Sequence, residues 1–259
     1  MSAFNVQHEQ KWFSAFRDFG PACLILCDQS IEKGTLTSAQ KASAAMAFSF
    51  LRHGLFHLEG ANKAGHHAIA ISLLRQCADP LFVVECALVR NEASLAALDT
   101  WAATSGMSVG KLRKDFADNV WSEYEHHFLD VAWPDFIGDF YRSVQTYAHF
   151  NSSTLQWALN PISSTRLSDG AIILEAKQWS YCAEKATRVT LFQSVLIRFL
   201  AEALRAGARL NEWELGGIDE FFAQHETGIR DSNLVRHPFS WENELLGMTF
   251  DISQDEVAK

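Results

Sequence analysis

An all-α fold is what this sequence predicts, and three observations carry the prediction. Prolines number 5 and glycines 14 in 259 residues, too few for the many turns of a β-sandwich or barrel. Apolar residues recur at helical spacing in one stretch after another. The stretch Gly65 to Arg90, GHHAIAISLLRQCADPLFVVECALVR, is apolar on almost every side, so other helices must wrap it. Together they predict a multi-helix bundle around a buried central helix, with a small β-hairpin near residues 161–177. Neither an internal repeat nor a low-complexity linker interrupts the chain. It therefore reads as one helical domain over 1–259: bundle core 1–160, hairpin 161–177, C-terminal helices and tail 178–259.

The elements follow in order. Asn5 to Phe19 carries Trp12, Phe13, Phe16 and Phe19 near helical spacing, and Gly20-Pro21 is expected to stop that helix. Pro21 then opens a second helix to about Lys33. Thr37 or Ser38 caps a long helix, Ala39 to about Leu58, with Ala44, Ala47, Phe48, Leu51, Leu55 and Leu58 on one stripe. Residues 60–63 form a short connection, so this helix and the central one pack antiparallel. Within the central helix, Asp79-Pro80 reads either as a cap and restart or as a kink. Asn91 or Ser94 begins a helix ending near Ser105-Gly106, and Ser108 caps another that runs to about Phe128. Asp135 caps a helix through Phe136, Phe140, Tyr141, Val144 and Tyr147. After Asn160 the β-branched run at 171–174 follows Ser168-Asp169-Gly170, which is the hairpin signal. A long helix from Gln178 to Arg205 is ended by Gly207, and a short one spans Ile218–His225.

Bulk composition narrows the function classes. Hydrophobic content of 48% with 20% charged residues excludes general disorder. A net charge of −9 argues against a protein that coats nucleic acid through broad counterion release. The five cysteines are an odd number in apolar surroundings, which predicts reduced thiols and no disulfides. No cationic region precedes an apolar run at the N-terminus, and the greasiest windows are interrupted by Arg75, Asp79, Pro80, Arg198 and Glu202. The expectation is a cytoplasmic protein with no membrane span.

Arg75 and Asp79 are the odd feature of the central helix. Spaced i, i+4, they share one face, and charges so placed must be paired. They form either an internal ion pair that fixes helix packing or part of a polar pocket. The best source of further polar groups is YRSVQTYAH, with Tyr141, Arg142, Tyr147 and His149. An arginine and a histidine on one helix can hold a phosphate and move a proton, the minimum for metal-independent RNA cleavage by a 2′-hydroxyl. The other tyrosine- and histidine-bearing possibility is a hydrogen-bonded core seam. A metal site is not expected: Glu123-x-x-His126 is half of a di-iron motif, and no second Glu-x-x-His occurs. Phosphate-loop, G-x-S-x-G and H-E-x-x-H motifs are also missing, and no cofactor is expected.

The pair of segments SLLRQCADPLFVVECAL and YRSVQTYAHFNSSTLQWAL resembles a family of uncharacterised bacterial all-helical proteins. That family has a Leu-Leu-Arg-x3-acid helix and a later Tyr-x2-Leu-Ser-x-Tyr-x-His helix; Val144 and Gln145 stand here in place of Leu-Ser. The resemblance singles out Arg75, Asp79, Tyr141, Tyr147 and His149. More loosely, Arg52…His57 and Arg142…His149 resemble the HEPN superfamily, which places an Arg five to seven residues before a His. That resemblance implies a metal-independent ribonuclease or a toxin or phage-defence effector, a homodimer acting on RNA, with Arg142 or Arg52 holding phosphate and His149 or His57 as base. Against it stands a non-enzymatic helical protein in which Arg75, Asp79, Tyr141 and His149 form a structural network or ligand pocket, with a partner protein in place of RNA. Both expectations share one spatial requirement: Arg75 and Asp79 lie beside the helix that leads to His149.

Overall fold

A computed structural model describes residues 11–103, 127–148, 157–168, 172–178, 180–211 and 217–231, with Lys111, Lys114, Trp121 and Thr154. Among these residues the α-helices are α1 (Lys11–Lys33), α2 (Ser38–Lys63), α3 (His67–Val89), α4 (Glu92–Ala103), α5 (Trp133–Gln145), α6 (Ala183–Asn211) and α7 (Ile218–Asp231). Strands β1 (His127–Phe128) and β2 (Val131–Ala132) make a minimal turn before α5. The hairpin of β3 (Leu159–Arg166) and β4 (Ile172–Gln178) is antiparallel, with a register shift between Pro161 and Ser163. The all-α architecture and its hairpin are therefore as expected.

Helix α3 is the centre of the bundle, touching α1, α2, α4, α5 and α6. Every side chain from Leu81 to Val89 is buried. Its all-round apolar character follows from that position, since no face of its second half meets water. Pro80 lies inside the helix and starts no new one. The lost hydrogen bond falls where Gln76, on the preceding turn, is exposed, so water can reach its carbonyl.

The turn between α2 and α3 is shorter than expected. Residues 60–63 remain helical, and the reversal occurs over Ala64, Gly65 and His66, with Gly65 at φ 82. A Cβ there would also strike the backbone of Ser180 and Tyr181. At its other end α2 is closed by a capping box: the Gln40 N–H donates to Thr37 Oγ1 (3.2 Å), and the Thr37 N–H donates to Gln40 Oε1 (2.9 Å).

Two expected helix stops are corrected. Helix α1 runs straight through Gly20-Pro21, with Pro21 exposed and Gly20 buried 3.5 Å (by its missing Cβ) from Phe16 and 3.9 Å from Ile197. Helix α6 likewise continues through Gly207, where a Cβ would collide with the Leu88 carbonyl. Gly207 thus serves close helix approach and not termination, whereas a Cβ at Gly20 would meet only ordinary contacts. The expected helix to Phe128 gives way to the β1–β2 turn, whose Leu129 and Asp130 both have positive φ; the rest of that expected helix lies outside the described residues apart from isolated positions. Helix α5 starts at Trp133 with Pro134 in its first turn, so Asp135 sits inside the helix and does not cap it.

Arg90 locks the far end of the bundle. It takes a left-handed conformation (φ 59) after α3, and its Nε donates to the Ala87 carbonyl (2.7 Å) while Nη2 donates to the Ser30 carbonyl at the end of α1. One cation thus serves the negative ends of two helix dipoles. Burial lowers its pKa to about 10. Helices α1 and α3 consequently end together, while α2 runs antiparallel to them.

Candidate functional site

The Arg75 cluster is assembled from the inner edges of α3 and α5. Arg75 Nη1 lies 2.6 Å from Asp79 Oδ1, one helical turn on. Its Nη2 donates to the Tyr141 hydroxyl at 2.7 Å, and its Nε donates to Gln145 Oε1 at 2.7 Å. The Tyr141 hydroxyl in turn donates to Asp79 Oδ1 at 2.7 Å. Tyr141 and Gln145 are themselves one turn apart on α5, so two i, i+4 pairs face each other across the helix contact. The ring of Tyr141 also lies 4.6 Å from the guanidinium carbon and meets Phe82 edge-on at 5.7 Å. The arginine side chain is 10% exposed and that of Asp79 36%. One edge of the cluster is therefore wet.

The shared spatial requirement is met as far as Tyr141: α3 touches both α5 and the 3-10 turn at Thr146–Ala148. His149 lies outside the described residues. Helix α5 ends at Gln145, and the backbone tightens to 3-10 geometry over Thr146–Ala148. Arg142 points away from the cluster, 74% exposed and paired with Asp139. Tyr147 is buried, its ring edge-on to Trp157 at 5.9 Å. Gln145, which the sequence reading treated only as a departure from a motif, is the third acceptor of Arg75.

Arg52 and His57 are both exposed on the outer side of α2. Five residues of helix set them about 140° apart around the axis, so their side chains diverge. Arg52 takes part in no ion pair among the described residues, whereas His57 lies edge-on to Phe56 at 5.5 Å. The outer side of α2 also exposes Met46 (63%), Phe50 (56%) and Phe56 (70%), with Phe50 and Phe56 about 120° apart around the axis. His53 sits between them with Nδ1 2.8 Å from the Ser49 carbonyl. Between Glu32 and Glu59 the chain has no acidic residue at all, in a protein of net charge −9.

A second buried cluster, which the sequence reading missed as a site, joins α6 to α7. Arg198 is 2% exposed and sandwiched between the rings of Phe128 (4.3 Å) and Phe222 (4.5 Å). Its Nη2 lies 3.2 Å from Glu202 Oε1 and 3.6 Å from Glu226 Oε2, and Nη1 donates to the Phe222 carbonyl at 3.1 Å. Glu202 also holds Arg205, and Glu226 holds Arg230, which reaches Asp130. Burial lowers the Arg198 pKa, with Glu202 and Glu226 opposing. Alongside, His225 Nε2 is 2.9 Å from Ser194 Oγ. Ser194 donates its own proton to the Leu191 carbonyl, so histidine donates to serine. That is the reverse of nucleophile activation, and both residues are fully buried. Burial, aided by Arg198, pushes the His225 pKa well down.

His67 is a third internal polar group. Its Nε2 accepts the Cys182 N–H at 2.9 Å, so Nδ1 carries the proton and donates to Asn62 Oδ1 at 2.9 Å. Asn62 Nδ2 donates to the Ala186 carbonyl (2.8 Å) and Thr190 Oγ1 (3.2 Å). This chain ties the α2–α3 turn to the start of α6. Burial lowers the His67 pKa to about 4. All five cysteines are free, Cys23, Cys27, Cys77 and Cys86 being buried and Cys182 half-buried. No described helix is long and apolar enough to cross a membrane. Glu123 and His126 fall outside the described residues.

Comparison with family models, with curated proteins and with solved structures finds no match to this chain.

Proposed function

We propose that the protein is a non-enzymatic helical interaction protein, braced internally by Arg75 and binding a partner through the outer face of α2. The observation that carries this is the closure of the Arg75 cluster. Each of its three nitrogens meets a partner inside the protein (Asp79, Tyr141 and Gln145), so the guanidinium is engaged in bracing α3 against α5. Arg142 is turned outward onto Asp139. What remains presented to solvent is the outer side of α2 with Met46, Phe50 and Phe56, and several large apolar side chains exposed on one element are a common mark of a docking surface.

The HEPN-like metal-independent ribonuclease, as a toxin or phage-defence effector, is the second reading. It is favoured by the exposure of Arg52 and His57 in the stretch between Glu32 and Glu59, which carries no acidic residue. Incubating the purified protein with total RNA in chelator, beside His57→Ala and His149→Ala variants, separates the two. Intact RNA is expected; cleavage that either variant abolishes would replace the first reading with the second. The interaction reading has its own measurement. Tagged protein in lysate should elute above its 29.1 kDa monomer mass, and a Phe50→Ser/Phe56→Ser variant at it. Identical elution of the two sinks the α2 face as a binding surface.

A further inference from the structure

Six exposed residues of α2 fall on one narrow stripe. Ala42, Met46, Phe50, His53, His57 and Gly60 follow one another at intervals of 4, 4, 3, 4 and 3 residues. On a continuous helix that spacing keeps all six within about 80° of the circumference. The stripe carries no Lys, Arg, Asp or Glu: Lys41, Arg52, Glu59 and Lys63 all project about 100° or more away from Met46. A solvated helix face is ordinarily charged, so this one is not built for water.

Gly60 is the second observation. Helix α2 continues past it to Lys63, and a Cβ there would meet nothing within 4 Å among the described residues. The fold therefore gains nothing from glycine at this position, which costs the helix about 1 kcal/mol against alanine. What glycine provides there is room for a close approach from outside.

The occupant is set by charge and by symmetry. A strongly acidic or basic partner would find no countercharge on the stripe, whereas a second copy brings the same uncharged surface. The spacing is also symmetric about the point between Ser49 and Phe50. With two copies antiparallel about a two-fold axis there, Phe50 lies over Ser49 of the second copy and Met46 over its His53. His57 then covers Ala42, and Gly60 meets Ala39, which is also exposed. Phe50 and His57 each find a small residue opposite, and the backbones come close where Gly60 needs them to.

We infer that two copies of this protein pair in solution through this stripe of α2, antiparallel, with Phe50 beside the two-fold axis. The inference rests on the outer side of α2 being a docking surface and names its occupant. A stripe about 30 Å long and about 10 Å wide is smaller than the roughly 800 Å² per partner of a standard interface, so the pairing is reversible and concentration-dependent.

The test is sedimentation equilibrium of the purified full-length protein from about 1 to 200 µM, the range in which a weak dimer forms. The weight-average mass should climb from 29.1 kDa towards twice that value. Phe50→Ser and, separately, Gly60→Leu should each weaken the association at least about tenfold, with helix content by circular dichroism unchanged. A mass fixed at that of the monomer overturns the inference, as does association by both variants equal to that of the unaltered chain. Register has its own check. Under mild oxidation Ser49→Cys, beside the axis, should give a covalent dimer, and Gly60→Cys, about 30 Å from its counterpart, should not. Equal linking through both positions overturns the antiparallel arrangement. A protein that is monomeric when pure but larger in lysate overturns the second copy and leaves the α2 surface to another protein. Failure here and failure of the proposed function are thus told apart.

Discussion

Two arginine clusters hold this bundle, and they solve the same problem differently. Arg75 on α3 meets one carboxylate, one phenol and one amide, each at 2.6–2.7 Å, with Asp79 partly in water. Arg198 on α6 is sealed between two phenyl rings and faces two carboxylates at 3.2 and 3.6 Å. The first cluster has close geometry and access to solvent. The second has burial and a longer chain of ions through Glu202, Arg205, Glu226, Arg230 and Asp130. A cation withdrawn from water is held mainly by countercharge, so the Arg198 cluster should be fragile to single deletions and the Arg75 cluster tolerant of them.

The largest expected effect is therefore at Arg198. Arg198→Ala leaves Glu202, itself 1% exposed, beside a void between Phe128 and Phe222. Breaking a buried pair in this way costs about 3–5 kcal/mol, or a fall in Tm on the order of 10 °C for a chain of this size. Thermal unfolding followed by circular dichroism measures it. A fall no larger than that of Arg75→Ala would reverse the ranking of the two clusters.

Acid should find the same weakness. His67 and His225 are neutral when folded, with burial lowering His67 to about 4 and pushing His225 well below its ordinary value, whereas an unfolded histidine titrates near 6.5. Below pH 6.5 the unfolded chain binds protons that the folded one does not, so stability present above that pH is lost as pH falls towards 4. His67 alone accounts for about 3 kcal/mol of that loss. Urea unfolding at a series of pH values should show the decline, shallower in His67→Gln. A stability flat from pH 7 to 4.5 would mean that these histidines are hydrated.

The two clusters were also unequally legible in the sequence. Arg75 and Asp79 stood out because a greasy helix cannot hold charge without partners, and Tyr141 was the nearest polar residue on a helix able to reach them. Arg198 and Glu202 were equally visible as interruptions of an apolar window, yet they were read only as arguments against a membrane span. Their remaining partners explain why. Glu226 and Arg230 lie on α7 and Asp130 in the β1–β2 turn, two segments with no periodicity shared with α6, brought to Arg198 by the packing of α7 on α6. Gly207 misled for a related reason. A glycine that ends a helix and one that lets a neighbour approach look identical until the neighbour is in place.

A mid-sized effect is expected at Tyr141. Its hydroxyl accepts from Arg75 and donates to Asp79, so Tyr141→Phe removes two hydrogen bonds to charged groups while keeping the ring against Phe82. Water at the exposed edge of Asp79 limits the cost to about 1–2 kcal/mol. A double-mutant cycle with Arg75→Met should give coupling of about 1 kcal/mol. Coupling near zero would mean that the ring, not the hydroxyl, joins α3 to α5.

The smallest effect sharpens the comparison most. Gln145 is exposed, so in Gln145→Ala water replaces its oxygen on Arg75 Nε, and the cost should stay below about 1 kcal/mol. No such replacement is open to Arg198, whose Nε is buried and already without a hydrogen-bond partner among the described residues. Access to water, more than the number of hydrogen bonds, thus separates the two clusters. Urea midpoints at constant m-value measure the Gln145→Ala effect. A loss approaching that of Arg198→Ala would show that the Arg75 cluster is as dry as the other, and that its exposed edge does not relieve it.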